Sequence, residues 1–533
     1  MSAISDYFRT ALLIDDRVAA DYRPLERLHD ELTAGPAEDP APGLAVPAEE
    51  DETPVHPSEL VRAFLASGVV CSVLEAGEES GGAGGGPGLV QQALQGAQIA
   101  DLLILDWLID GDESVTVEAI DAIASRGTER LNVVVVFTGA HSLGDVVQRL
   151  VHAADFRIDE GADDFIVRRG DTVVLVFGKP GVRLVGGEDR RQPAEYGELP
   201  GMICDDLELV YRGLMPEFAF SGINALRESA PRILATFDEE LDAGALIHRA
   251  LLPDPNEAAA QFIRLLCGDM ELALRDAEIS TIWDVAASSE SIARVTAAGD
   301  ASPLAERLRR SPKVADDLKS LNDDELACEA ISRGLAGMGL SDSKITEMSA
   351  DLAAAIADAR LSSEKLAVLI DSHGFGSAPP RLELGVVLMR ESTAGETHQV
   401  GDDADHRLWV CVQPLCDSVR LREPRAFPLV PIRLDADRAQ AMIRLPDGAP
   451  TRISFDTHLH RLIQVRFAPG EARAVVAQGG PTDWHFTDED GISYRVVTRL
   501  RSDLAAQVVH SLGSAATRIG PDQSEWLRRG VQT

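Results

Sequence analysis

The sequence predicts a multidomain protein, with an α/β domain built on a parallel sheet first, an all-helical region next and a mainly β domain last. The length of 533 residues exceeds what one hydrophobic core normally supports. Up to about residue 190, apolar strand segments alternate with helical segments, which is typical of a parallel sheet with helices on both faces. The composition changes after about residue 200 and again after about residue 380, which indicates further domains.

The N-terminal domain is expected to span residues 1–190. The turn Arg169-Gly170-Asp171 separates two apolar runs and predicts a hairpin that leads into the last strand. Segment 34–57 carries six prolines and many acidic residues but almost no large apolar side chains to bury, so we expect a disordered insertion. The strands are predicted at 8–16, 69–74, 102–105, 133–137 and 172–177.

The remaining two thirds of the chain divide into two regions of different character. Residues 200–375 have apolar side chains recurring at i, i+3 and i+4, which predicts several packed helices. Residues 381–533 contain short β-branched runs separated by turn sequences such as PDG and EDG, which predict a mainly β domain. A closing helix is expected from about Ser502 onward.

Charge and cysteine usage exclude several classes of function. The net charge of -37 disfavours non-specific binding to nucleic acid or to an anionic membrane, because both require a basic surface. No apolar run approaches the roughly 20 residues of a membrane span, and the N-terminus lacks a signal-peptide pattern. The six scattered cysteines indicate reduced thiols, so we expect a cytoplasmic protein that binds neither nucleic acid nor membrane.

Polar side chains follow the apolar strands of the first domain at the point where each strand ends. Asp15 and Asp16 follow the first strand, Asp106 follows 102–105, Thr138 follows 133–137, and Lys179 follows 172–177. Because the carboxyl ends of parallel strands meet at one edge of the sheet, these side chains are expected to converge. Carboxylates suit Mg²⁺, and a hydroxyl and an ammonium suit phosphoryl oxygens, so the sequence predicts a site for Mg²⁺ and a phosphoryl group.

The stretches that end these strands, IDD, LLILDW, VVFTG and FGKPG, resemble those of the receiver domain of two-component response regulators. The resemblance covers about residues 8–185 and implies a flavodoxin-like receiver fold. It implies that Asp106 is the phosphoacceptor, that Asp15 and Asp16 hold Mg²⁺ with Asp106, and that the backbone carbonyl of Leu108 completes the metal site. It also implies that Thr138 binds a phosphoryl oxygen and that Lys179 pairs with the phosphate.

The same resemblance implies a cis-proline at Pro180, a histidine kinase as partner and signalling through protein–protein contacts with a downstream effector protein. The chemistry would be self-catalysed phosphoryl transfer to the chain rather than enzymatic turnover. Receivers often place a switch aromatic three residues before the lysine, but this chain has Val176 there, and the neighbouring Phe177 is expected to point to the opposite face. The alternative interpretation is a non-phosphorylated pseudo-receiver scaffold.

The C-terminal region contains a second, weaker set of candidate residues. Cys411, Cys416, His458 and His460 offer the ligand types of a Cys₂His₂ zinc site. Buried cysteines and sheet-face histidines are the favoured interpretation, because CVQPLC is expected to run along a strand and into its turn. The motif CDSVR, from Cys416 and Asp417 to Arg420, is interpreted as a polar turn that recognises an unidentified group. The alternative is an effector enzyme with an unrecognised site in residues 200–533.

Short strings in the C-terminal half carry a further resemblance. LWVCVQPLCDSVRL and SEWLR are similar to segments of receiver proteins found beside kinases in bacterial anti-phage and conflict systems. That resemblance implies a relay or phosphate-buffering role in a defence pathway.

Overall fold

The computed structural model divides into two compact units, Met1–Glu239 with Ile263–Ser291 and Glu240–Phe262 with Ile292–Thr533. It describes residues 3–16, 55–75, 86–109, 111–125, 131–159, 163–182, 184, 191, 193–252, 257–283, 285–376, 378–391, 407–434, 439–480 and 483–517.

The first unit is built on a seven-stranded sheet in the order β2-β1-β3-β4-β7-β6-β5. The first five strands in that order are parallel, and β6 and β5 extend the sheet in antiparallel pairing. The hairpin predicted at Arg169-Gly170-Asp171 is confirmed, and Gly170 has the positive φ (58°) that its turn requires. The strands are β1 Thr10–Asp15, β2 Val70–Glu75, β3 Leu102–Leu105, β4 Asn132–Thr138, β5 Arg157–Ile158, β6 Ile166–Arg169 and β7 Thr172–Gly178.

Helices cover both faces of this sheet, as the alternating pattern predicts. The helices that precede or pack on it are α1 Ala3–Tyr7, α2 Pro57–Ala66, α3 Gly86–Ile99, α4 Glu113–Ser125, α5 Leu143–Ala154, α6 Leu199–Val210 and α7 Leu214–Thr236. One buried cluster joins the sheet to α2 and α6, and the other joins its opposite face to α3, α4 and α5. The strands β4 and β7 are completely buried, because both of their faces are covered.

The first unit extends beyond the predicted boundary at residue 190. Leu199, Ile203 and Leu207 of α6 are buried in the same cluster as strand residues of β1 and β4. The helix therefore completes one layer over the sheet and does not begin a separate helical domain at residue 200. The two-unit division likewise differs from the predicted helical region 200–375, whose helices are shared between the units.

The predicted insertion 34–57 mostly lies outside the described residues. Its last three residues belong to the fold, because Val55 is fully buried and Pro57 begins α2. The predicted disorder therefore extends too far at its C-terminal end. The physical reason is that Val55 has an apolar side chain to bury, whereas the acidic residues before it in the sequence have none.

The second unit contains helices and a nine-stranded antiparallel sheet. The strand order of this sheet is β12-β13-β11-β10-β9-β16-β15, and in addition β14 pairs with β11 and β8 pairs with β16. The sheet confirms the mainly β character expected after residue 381. The strands are β8 Ser372–His373, β9 Val386–Arg390, β10 Leu408–Cys411, β11 Arg425–Leu434, β12 Ala441–Arg444, β13 Pro450–Phe455, β14 Ile463–Phe467, β15 His485–Thr487 and β16 Ser493–Leu500.

The middle of the chain is helical, and one helix closes the second unit. These helices are α8 Asp242–Leu251, α9 Glu257–Asp276, α10 Val285–Ala297, α11 Ser302–Arg310, α12 Asp316–Lys319, α13 Asp323–Arg333, α14 Asp342–Ala354, α15 Ala359–Asp371 and α16 Ser502–Thr517. Among the described helices, none combines the length and the apolar character needed to cross a bilayer.

Candidate functional site

The predicted strand-end residues lie together at the carboxyl edge of the parallel sheet. Asp15 is the last residue of β1, Asp106 follows β3, Thr138 ends β4, and Lys179 follows β7. The register aligns these ends, because Ile14 pairs with Leu105 and Thr138 pairs with Gly178. The convergence expected from the sequence is therefore present in the structure.

The ammonium of Lys179 lies at the centre of the site, between two carboxylates. Its Nζ donates to Oδ2 of Asp15 at 2.9 Å and lies 3.0 Å from Oδ1 of Asp106. Asp15 is completely buried, and Lys179 and Asp106 are exposed by only 2% and 6%. Burial of one ammonium between two carboxylates requires this close pairing, because an isolated charge would be costly in such a place.

Three carboxylates form a cluster that fits a divalent cation. Oxygen atoms of Asp15, Asp16 and Asp106 all lie within 4.8 Å of one another. Mg²⁺ is a hard cation that binds through one or two carboxylates together with water and phosphate oxygens. The donor set therefore fits Mg²⁺, whereas the contribution of the Leu108 carbonyl stays a prediction.

The protonation of the site reflects both burial and charge. Burial raises the pKa of Asp106 to about 7, and Asp15 adds to the increase while the ammonium of Lys179 opposes it. Burial disfavours the charged form of Lys179, but Asp106 and Asp15 outweigh it and raise the pKa of the ammonium. Lys179 therefore stays charged, and a cation bound by the three carboxylates would favour the ionised form of Asp106.

Backbone and hydroxyl groups orient the Asp106 carboxyl and its surroundings. The Trp107 N–H donates to Oδ1 of Asp106 at 2.8 Å, and the buried Thr116 hydroxyl donates to the Asp106 carbonyl at 2.9 Å. The Thr138 hydroxyl accepts the Ala140 N–H at 3.0 Å, which leaves its own proton for a ligand oxygen. The Lys179 N–H donates to the Thr138 carbonyl at 2.7 Å and ties the two strand ends together.

The sequence analysis missed two buried residues in the polar stretch after Lys179. Tyr196 is 5% exposed, accepts the His56 N–H at 3.1 Å and contacts Phe137 ring to edge, one residue before Thr138. Arg191 donates to the Val176 carbonyl, pairs with Asp206 of α6 and lies 4.3 Å above the Phe177 ring centre. Burial also raises the pKa of Tyr196, so its hydroxyl stays neutral.

The expected orientation of the two residues before Gly178 agrees with the structure. Val176 packs in the cluster with α5, whereas Phe177 packs in the cluster with α6 on the opposite face. The position three residues before Lys179, where receivers often carry a switch aromatic, is therefore occupied by the aliphatic side chain of Val176.

The cis-proline expected at Pro180 is wrong, because the described residues contain no cis peptide bond. Residues 179–182 instead form a tight turn in which the Val182 N–H donates to the Lys179 carbonyl at 3.3 Å. Gly181 has a φ of 79° at the third position of this turn. Such a turn places a trans-proline at its second position, where the fixed φ of proline suits the geometry.

The zinc interpretation of the C-terminal cysteines and histidines is also wrong. Among the described residues, Asp15, Asp16 and Asp106 form the group with metal-site spacing, and no cysteine or histidine joins one. Cys411 ends β10 and is fully buried, whereas His458 follows β13, and β11 lies between these two strands. Strands are about 4.8 Å apart, so the side chains are too distant to share one ion.

The remaining C-terminal candidates lie in turns. Cys416 is exposed, contrary to the expected buried cysteine, because it lies in a short 3-10 turn, Leu415–Asp417. His458 and His460 lie in a turn after β13 and not on a sheet face. His458 contacts Oδ1 of the buried Asp456 at 2.6 Å through its Nδ1, which gives it a structural partner. Arg420 of the CDSVR turn has a φ of 62°.

Comparison with known proteins identifies only the first domain. A family model described as the response receiver domain matches residues 7–184, about a third of the chain. No curated protein and no solved structure matches the chain.

Proposed function

Because residues 7–184 are a response receiver domain, we propose that this chain accepts a phosphoryl group on Asp106 from a histidine kinase and signals through protein–protein contacts. The observation that carries the proposal is the Lys179 ammonium, which lies within about 3 Å of both Asp15 and Asp106 at the carboxyl ends of three parallel strands. Such an ammonium is suited to neutralise a phosphoryl group bound to either of its neighbours.

The reaction needs little beyond positioning and electrostatics. A carboxylate oxygen of Asp106 attacks the phosphorus of a phosphohistidine, a phosphorus–oxygen bond forms, and the phosphorus–nitrogen bond breaks with its electron pair left on the imidazole. Lys179 and the Thr138 hydroxyl hold the phosphoryl oxygens. The buried Thr116 and the Trp107 N–H keep the loop and carboxyl of Asp106 in place during transfer.

The proposed cofactor is Mg²⁺, which would be held by Asp15, Asp16, Asp106 and the Leu108 carbonyl. When bound, it would neutralise the charge that develops on the phosphoryl group. The three carboxylates support this assignment by their mutual distances and by their chemistry.

The output is proposed to be a contact with another protein. The net charge of -37 argues against DNA as the target. A role in an anti-phage relay is proposed from the resemblance of LWVCVQPLCDSVRL and SEWLR alone, and SEWLR lies outside the described residues. Leu108 and Ala140 flank the site without an acid or amide that would aim water, so we expect a phospho-aspartate that lives for longer than seconds.

The first test is intact-protein mass spectrometry after incubation with Mg²⁺ and acetyl phosphate. One phosphoryl group is expected on the wild type, and hydroxylamine should remove it because acyl phosphates are labile to this nucleophile. Asp106→Asn should take up none. Asp112→Asn is the matched control, because Asp112 is exposed on the same loop and stands outside the carboxylate cluster, and it should be modified like the wild type.

A negative result has a defined meaning. If neither the wild type nor Asp112→Asn is modified by acetyl phosphate or by a cognate kinase, the phosphoacceptor proposal fails. The domain would then act as a pseudo-receiver scaffold, and any effector chemistry would have to come from residues 200–533.

A further inference from the structure

We propose that Arg191 and Tyr196 are positioning residues, which fix the backbone at Lys179 and so hold its ammonium against the carboxylates of the site. Their role rests on the phosphoryl transfer proposed above, because Lys179 is the group that would neutralise the phosphoryl oxygens. Both residues lie in one short segment after β7, which consists of Arg191 and residues 193–197 and is named here the strap. The strap contacts the end of β7 and leads directly into α6.

The strap replaces β6 as the hydrogen-bonding neighbour of β7 just before Lys179. Beyond the pairing with β6, the Arg191 guanidinium donates to the Val176 carbonyl at 2.7 Å. The Ala194 N–H donates to the Gly178 carbonyl at 2.9 Å. Because Lys179 is the next residue, these bonds fix the course of the main chain from which its side chain extends.

Arg191 is held in one place by contacts on several sides. It is only 6% exposed, and its guanidinium lies 4.3 Å from the Phe177 ring centre. It pairs with Asp206 of α6 and lies 3.4 Å from Oδ2 of Asp163. A buried ion pair adds little net stability, because desolvation of both charges offsets their attraction, but it can specify one arrangement of the chain. The contacts of Arg191 therefore favour a role in fixing the end of β7.

Tyr196 joins the strap to β4 and α2. Its ring packs edge-on against Phe137, the last residue but one of β4, and its hydroxyl accepts the His56 N–H before α2. The charges of Lys179 and Asp15 act on the pKa of this hydroxyl in opposite directions, because it lies near their ion pair. Tyr196 therefore connects the ends of β4 and β7 with the beginning of α2.

The position of the Lys179 backbone matters because its side chain is long and flexible. A fixed base restricts the side chain to rotamers whose Nζ lies within about 3 Å of both Asp15 and Asp106. Displacement of a reacting or stabilising group by about 1 Å can lower a rate about 100-fold. Loosening the strap should therefore expose the ammonium and slow phosphoryl transfer.

Amine labelling tests the position of Lys179 without any phosphoryl transfer. The chain has five lysines, and Lys179, at 2% exposure, is the one that is buried. With N-acetoxysuccinimide and peptide mass spectrometry, Lys179 of the wild type should be acetylated at least about 100-fold more slowly than the exposed Lys344. Tyr196→Phe, which removes only the hydroxyl, and Arg191→Met should each accelerate labelling of Lys179 about 10-fold.

Two controls separate a local change from loss of the fold. Cys71 is buried in β2 of the same unit, and it should stay unreactive toward iodoacetamide if only the strap has moved. Tyr211→Phe is the matched variant, because the Tyr211 hydroxyl is buried without a hydrogen-bond partner among the described residues and its ring packs on the same cluster as Tyr196. It should be labelled like the wild type. If Arg191→Met exposes Cys71, Tyr196→Phe alone decides.

Phosphorylation by acetyl phosphate tests the functional consequence. Tyr196→Phe should lower the maximal rate about 10-fold. The Mg²⁺ concentration at half-maximal rate should not rise, because the proposed Mg²⁺ ligands do not include Lys179, whereas a general loss of structure would raise it. Unchanged labelling of Lys179 in Tyr196→Phe, or an unchanged maximal rate, would overturn the positioning role of Tyr196. If the wild type takes up no phosphoryl group, the proposed function fails, and labelling alone decides whether the strap holds the ammonium.

Discussion

The two sheets of this protein both contain buried polar residues, but among the described residues only the seven-stranded sheet gathers them into one site. Its five parallel strands all end at the same edge, so Asp15, Asp106 and Lys179 meet there. In the nine-stranded sheet, neighbouring strands run in opposite directions, so consecutive strand ends lie at opposite edges. Its polar residues, such as Gln413 and Asp456, are therefore satisfied separately by local contacts.

The difference between the two sheets shows in which kind of sheet a polar residue after an apolar run predicts a chemical site. In a parallel sheet, several such residues predict one site because geometry brings the strand ends together. In an antiparallel sheet, the same pattern predicts only a turn. For this reason the cysteines and histidines of the C-terminal motifs do not gather into a metal-binding group, whereas the strand-end residues of the first domain lie together.

Thiol labelling gives the largest expected effect and tests whether Cys411 of the nine-stranded sheet is inaccessible to reagents. Burial raises the pKa of Cys411 and of Cys71 to about 12, so almost no reactive thiolate is present at pH 8. Cys267 and Cys416 are exposed. We expect the exposed pair to react with iodoacetamide at least about 1,000-fold faster, as measured by peptide mass spectrometry.

The same experiment can break the comparison. All four thiols should react at similar rates in urea, which serves as the control. If Cys411 of the native protein reacts as fast as Cys416, or if Co²⁺ gives a thiolate absorption band, then the antiparallel sheet does present its cysteine to ligands.

Lys179→Met tests the convergence of charges in the first sheet. It leaves two buried carboxylates without their cation and should destabilise the first unit by about 3–5 kcal/mol at pH 8. Because the pKa of Asp106 is already raised to about 7, protonation of this carboxyl should make the loss smaller at pH 5. Calorimetric unfolding measures both values, without Mg²⁺ in the buffer.

The control for this change is Lys365→Met, on the exposed side of α15, which should alter the unfolding free energy by less than about 0.5 kcal/mol. If Lys179→Met changed the unfolding free energy equally little, the charges of Lys179, Asp15 and Asp106 would not stabilise one another. The parallel sheet would then have no electrostatic advantage over the antiparallel one.

Asp456→Asn should give the smallest effect and tests a local pair in the second sheet. Burial opposes ionisation of Asp456, but hydrogen bonds from His458 and Arg433 prevail and lower its pKa to about 2. An acid with a depressed pKa stabilises the fold above its unfolded pKa of about 4, and this contribution is lost as pH falls toward 2. We expect a cost of about 1–2 kcal/mol at pH 6, because the exposed His458 and Arg433 are partly screened by solvent.

Urea unfolding followed from pH 6 to pH 2 gives this measurement. The difference between Asp456→Asn and the wild type should shrink as the solution becomes more acidic. Asp490→Asn, at an exposed turn, should show no such pH dependence. A constant difference at all pH values would show that the carboxylate charge of Asp456 contributes nothing.

Much of the first domain was predictable because local sequence and topology agree there. Strand periodicity gave the sheet, and the strand-end rule gave Asp15, Asp16, Asp106, Thr138 and Lys179. Tyr196 and Arg191 could not be found in this way, because they lie in the stretch GGEDRRQPAEYGE, whose composition is that of a surface linker. Their burial depends on α6 packing back onto the sheet, a long-range contact that no local pattern encodes.

The domain boundary was missed for the same physical reason. The apolar spacing of α6 predicts a helix but does not say which surface that helix covers. Pro180 shows a complementary limit, since proline restricts φ but the isomer depends on the turn in which it lies. For α6 and for Pro180, the sequence determines the helix or the turn. Tertiary contacts determine which surface the helix covers and which isomer the proline adopts.

The antiparallel hairpin beyond β7 determines how another protein can approach Lys179. Strand β7 is bonded on one side by β4 and on the other by β6, so its backbone cannot accept an added strand from a partner. The outermost strand on that side, β5, has only two residues and offers almost no template for edge-to-edge aggregation. A partner that responds to phosphorylation must therefore recognise side chains and helix surfaces around the site, and substitutions there should change partner choice without changing the sheet.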